Sequence, residues 1–90
     1  MKFAKLFDLD DQTQVLVTRV LEEENEQAPY NIKVATDYRG IYLAAVHGFK
    51  EEEKANNMFD KYDLNLAATF FSQAVEMVEE ADKQFENEKS

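Results

Sequence analysis

The sequence predicts an α+β fold: a two-layer sandwich in which a four-stranded antiparallel β-meander precedes a short and a long C-terminal α-helix, in the order ββββαα. Three observations carry this expectation. Apolar residues recur with period two, or in β-branched runs, in four segments before residue 50. The breaks between those segments are too short for crossover helices, so the strands must pair antiparallel. After residue 50 the period turns helical and ends in a stripe of alternating three- and four-residue steps: Leu64, Ala67, Phe71, Ala74, Val78, Ala81 and Phe85.

Lys2 to Leu9 reads as a short strand, with Phe3, Phe7 and Leu9 on one side and Ala4 and Leu6 on the other. Asp10-Asp11-Gln12 is a polar break suited to a tight connection. Gln14 to Glu22 is rich in β-branched residues and apolar on both sides, which predicts a central strand. Glu22 to Pro29 is a solvated acidic loop closed by the only proline. Tyr30 to Asp37 alternates cleanly. Tyr30, Ile32, Val34 and Thr36 share one face, and Asn31, Lys33, Ala35 and Asp37 the other.

Asp37-Tyr38-Arg39-Gly40 reads as a hairpin turn, in which Gly40 can take positive φ. Ile41 to Phe49 is the fourth strand. Glu51, Glu52 and Glu53 suit the first turn of a short helix over Lys50 to Lys61, because carboxylates face the positive end of its dipole. Asp63 is the expected N-cap of the long helix, Leu64 to Phe85, roughly 33 Å at 1.5 Å per residue. At the centre of its stripe Phe71 and Val78 are expected to be among the most buried helix residues, with Phe71→Ala costing about 3–5 kcal/mol.

The 90 residues make one domain, with 85–90 expected as a frayed tail. Without cysteine, the chain has no disulfide, thiolate metal site or cysteine nucleophile. Two lysines open the N-terminus. Asp8, Asp10 and Asp11 then cut the apolar run short, so a signal peptide is not expected. No stretch reaches the ~20 apolar residues of a membrane span. The expected location is the cytoplasm. A net charge of −9 repels phosphate backbones and anionic bilayers, so neither direct nucleic-acid binding nor membrane binding is expected.

Candidate chemistry is sparse. His47, the only histidine, lies in register with Leu43 and Ala45 and reads as a core-edge residue rather than a general base. Counted from Asp8, a calcium loop would need glycine at its sixth position and glutamate at its twelfth; the chain has Thr13 and Arg19. Gly40 and Gly48 are the only glycines, which removes any glycine-rich phosphate loop. Ser72 lies inside the long helix, with no partner marked by the sequence. No catalytic, cofactor-binding or metal-ligating residue is assigned, and no cofactor.

The expected function is therefore non-enzymatic: protein–protein contact, with a second copy of the chain, an unidentified protein, or both. The second and fourth strands are apolar on both sides, and one helical layer covers one face. Val15, Val17, Ala44 or Val46 are thus expected to mark a second buried surface, such as a homodimer contact. Tyr38 and Tyr42 are expected to be exposed anchors, giving a candidate interface of Tyr38, Tyr42, Ala44 and Val46. Ala67, Ala74 and Ala81 permit either a helix–helix seam or close packing on the sheet. Phe70, Val75 and Met77 widen the apolar arc and favour the sheet.

The alternative is an acidic mimic of nucleic acid, of phage or mobile-element type, that occupies a basic groove on a DNA- or RNA-binding protein. Its charges would be Glu22, Glu23, Glu24 and Glu26 with Glu76, Glu79, Glu80 and Asp82. A single-sided stripe of carboxylates would favour it. A small hydrolase or isomerase is the least favoured class.

Overall fold

The computed structural model describes residues 3–89. The elements are β1 (Ala4–Asp8), β2 (Gln14–Leu21), β3 (Tyr30–Tyr38), β4 (Ile41–Phe49), α1 (Glu52–Lys61) and α2 (Leu64–Lys89). The expected ββββαα order holds, and the four strands form one antiparallel sheet in the order β1-β2-β3-β4. Lys2, where the first strand was expected to begin, and the N-terminal Met1 lie outside the described residues, as does Ser90. The long helix runs to Lys89 rather than stopping at Phe85. The molecule measures 49 × 32 × 17 Å, and the short axis leaves room for one helical layer on the sheet.

Strand register sorts the residues into two faces. Val15 lies opposite Thr36, Val17 opposite Val34 and Arg19 opposite Ile32. On the β4 side Val34 meets Ala45 and Ile32 meets His47. These odd- and even-numbered sets form the face beneath the helices. Val15, Val17, Ile32 and Val34 are its fully buried floor, joined by Ala55, Phe59, Tyr62 and Ala67 from the helical side. Val15 and Val17 thus belong to the main core. They do not mark a second surface; that role passes to their neighbours Leu16 and Val20, because adjacent strand residues point to opposite faces.

The β3–β4 hairpin closes in two residues. Tyr38 pairs with Ile41, leaving Arg39 (φ 53°) and Gly40 (φ 79°) as the loop. Positive φ at both central positions is the type I′ arrangement, whose twist matches the flanking strands. Gly48 is required for a different reason. A Cβ there would lie 2.8 Å from the Ala28 Cβ and 3.1 Å from Asn31 Oδ1. The absent side chain lets the β2–β3 loop fold back over the strand ends. Asn31, buried beneath it, donates to the Ala28 carbonyl at 3.0 Å.

The two helices are capped differently. Asp63 caps α2 as expected: its carboxylate accepts the Leu66 N–H at 2.9 Å, and its carbonyl accepts the Ala67 N–H at 3.0 Å. Asp63→Ala should therefore cost about 1 kcal/mol and Asp63→Asn much less, a difference readable by urea unfolding. Glu51 precedes α1 without a side-chain cap, and Glu52 and Glu53 occupy its first turn. The far end of α1 is closed by a residue from the other end of the chain. The Lys5 ammonium, on β1, donates to the carbonyls of Phe59 (2.6 Å), Asp60 (3.3 Å) and Tyr62 (3.4 Å). It also sits 4.7 Å from the centre of the Phe59 ring. A cation is favourable there because the last carbonyls of a helix carry the negative end of its dipole.

The C-terminal stripe is covered only in its middle. Ala67, Ala74 and Val78 are buried, so two of the three small residues, Ala67 and Ala74, lie in the layer between helix and sheet. Leu64, Ala81 and Phe85 are exposed, and the helix overruns the sheet. Phe71, expected among the most buried, is half-buried. It packs edge-on against Tyr38 (5.8 Å, 84°) at the rim of the layer, where the sheet ends.

Tyr62, between the helices, is buried and lies against the Phe7 ring at 6.0 Å. Burial, with the adjacent Asp63 carboxylate, raises its phenol above the ordinary value of 10.0. A raised native value means the neutral phenol favours folding. That contribution is complete below about pH 10 and is lost as the pH climbs through the raised value. An alkaline melting series should lose stability more steeply in the parent than in Tyr62→Phe. Equal slopes would contradict this.

Candidate functional site

Above the sheet, opposite the helices, lies a face that, among the described residues, is covered only at one end, where the β2–β3 loop folds over Asn31. One row crosses all four strands: Leu6 opposite Leu16, Leu16 opposite Ala35, and Ala35 opposite Ala44. A second runs through Ala4, Thr18, Lys33 and Val46. Leu6, Leu16, Val20, Tyr42 and Val46 are all exposed, Val46 at 61%. The Lys33 ammonium lies 5.4 Å from the centre of the Tyr42 ring, so its stem and the ring together cover part of β3. The charged residues of this face are Lys33 near the middle and, at one end, Asp8 and Asp37. Contiguous apolar surface of this kind is unusual on a monomer and marks contact sites.

Three of the four expected interface residues, Tyr42, Ala44 and Val46, stand together here along β4. Tyr38 does not. It is the last residue of β3, in register with Thr36 and Val34, and so falls on the helix-covered face. Instead of an exposed anchor it is half-buried, with its ring against Phe71 and its hydroxyl 3.5 Å from Glu79 Oε1. Leu6, Leu16 and Val20 were missed as contact residues. Their signal was present in the alternation, but the register with β3 was needed to tell which half of β2 is covered.

β4 is an outer strand, with one row of backbone groups unpaired by any strand among the described residues. Its sequence, IYLAAVHGF, holds no Asp, Glu, Lys or Arg. The opposite edge strand, β1, carries Lys5 and Asp8 in five residues. Beneath β4 a narrow cleft opens against α2, lined by Leu43, Ala45, His47, Phe70, Ala74 and Met77. His47 thus stands at the rim of an apolar cleft, exposed. Ser72 is exposed on α2.

The carboxylates divide into separate groups. Glu22, Glu23, Glu24 and Glu26 line the β2–β3 loop, all exposed. Glu76, Glu79, Glu80 and Asp82 lie on the C-terminal half of α2. That half reaches the opposite end of the sheet, where Arg39 in the β3–β4 turn pairs with Asp82 at 3.3 Å. The nine residues of β3 separate the two ends by about 25–30 Å. The Asp8–Asp11 turn is organised locally. Asp10 accepts the Gln12 N–H at 2.8 Å, and that bond holds its carboxyl below the ordinary 3.8. Among the described residues no group of three or more His, Asp or Glu side chains is placed to hold a metal ion, and no helix is long and apolar enough to cross a membrane.

Comparison of the chain with protein-family models, with curated proteins and with solved structures returns no match.

Proposed function

We propose that this protein acts without catalysis, by protein–protein contact through the uncovered face of its sheet, as a homodimer in the cytoplasm. The carrying observation is the apolar row of Leu6, Leu16, Ala35 and Ala44, exposed at all but Ala35, and extended by the exposed Tyr42 and Val46. In a chain of net charge −9, that face is nearly free of carboxylates, so two copies can approach there with the least repulsion. The distance between the loop carboxylates and those of α2 supports this reading over nucleic-acid mimicry, which asks for one continuous stripe of charge.

Sedimentation equilibrium tests it. The parent chain is expected to be dimeric at micromolar concentration. Val46→Glu places a charge at an exposed position and should give a folded monomer. A parent that stays monomeric at high concentration would refute the homodimer. A partner protein released both by added salt and by replacing Glu76, Glu79 and Glu80 with glutamine and Asp82 with asparagine would favour the mimic instead.

A further inference from the structure

We infer that the two copies join edge to edge, β4 against β4, into one eight-stranded antiparallel sheet with its twofold at Ala45. The inference rests on the homodimer reading and seats its seam at the β4 border of the uncovered face, where Tyr42, Ala44 and Val46 stand, rather than across the middle of that face. An exposed edge strand is a template for another strand, and proteins ordinarily protect such edges with charge, proline or brevity. β1 has brevity and charge; β4 has nine residues, no charge and no proline. Foreign strands of any sequence could pair with an open edge, but the residues of β4 and its flanks favour its own copy.

A twofold normal to the sheet makes one residue face itself. Centring on Ala45, the midpoint of Ile41–Phe49, pairs the whole strand. Ala44 then lies opposite Val46 of the second copy, Leu43 opposite His47, and Tyr42 opposite Gly48. Beyond the strand the same register brings Arg39 of one copy toward Glu51 of the other, and Lys50 toward Gly40 and the nearby Asp37. Opposite charges thus flank an uncharged seam at both ends. The cleft beneath β4 and the exposed Met77 beside it would be closed by the second copy from the helical side.

The chain has no cysteine, so single cysteines report the geometry directly. Ala44→Cys and Val46→Cys chains, mixed and oxidised, should form a disulfide-linked dimer. The register places these positions directly opposite, about 4.5–5.5 Å apart at Cβ. Either chain alone should cross-link several-fold less, because like positions are diagonal, about 7–8 Å apart. A dimeric parent whose mixed cysteines fail to link, or link no better than either chain alone, would overturn edge pairing and leave the homodimer reading standing. A monomeric parent would overturn both.

Discussion

Replacing Phe59 with alanine is expected to cost about 3–5 kcal/mol, the range for a fully buried phenylalanine. Phe59 is 3% exposed and sits at the end of α1 that faces the sheet. Its ring touches the floor built by Val15, Val17, Ile32 and Val34, and it receives cations from two strands. Lys5 lies 4.7 Å and the Arg19 guanidinium 5.9 Å from its centre. Truncation opens a cavity and removes both cation–π contacts. A domain of this size holds only about 5–13 kcal/mol in total, so the melting temperature should fall by about 15 °C or more. Phe71→Ala, at the half-buried rim, should cost roughly half as much. Thermal and urea unfolding of the two variants decide the order; a larger loss from Phe71→Ala would mean that α2, not α1, anchors the helical layer.

Lys5→Met is expected to destabilise by about 1–3 kcal/mol while leaving the fold intact. Methionine keeps the apolar stem and the length of the side chain but cannot donate. The carbonyls of Phe59, Asp60 and Tyr62 would lose the cation that closes the helix. Lys5 is half-buried, so water replaces the ammonium only in part. Because Lys5 and Phe59 share one contact, a double-mutant cycle should be non-additive, with the double variant less unstable than the sum. Lys5→Met within about 0.5 kcal/mol of the parent would show the cap to be marginal, as solvated ion contacts commonly are.

Much of this architecture is written in local pattern. The period-two segments, the Arg39-Gly40 turn, the Asp63 cap and the helical period after residue 50 each depend on residues within a few positions of one another. Local sterics and hydrogen bonding therefore sufficed to place the six elements. The alternation also separated the two faces of β3 correctly, since Tyr30, Ile32, Val34 and Thr36 all turn toward the helices.

The candidate contact surface was legible only in part. Tyr42, Ala44 and Val46 could be named because they oppose the Ile41–Leu43 face of their own strand. Leu16 and Val20 could not be told from Val15 and Val17, since a strand apolar on both sides does not announce which side a helix will cover. Tyr38 was misplaced for a related reason: a residue at a turn looks exposed until a helix passes over it.

The sequence by itself determined the elements, their order and their antiparallel pairing, because period, turn chemistry and short connections act over neighbouring residues. Tertiary structure alone decided which stretch of the stripe is covered, that Lys5 would close a helix 54 residues away, and that the two acidic groups would stand at opposite ends of the sheet. Those outcomes depend on where α2 crosses a finite sheet. Ala67 and Ala74 are buried where α2 passes over the sheet, a long-range fit that no local pattern encodes.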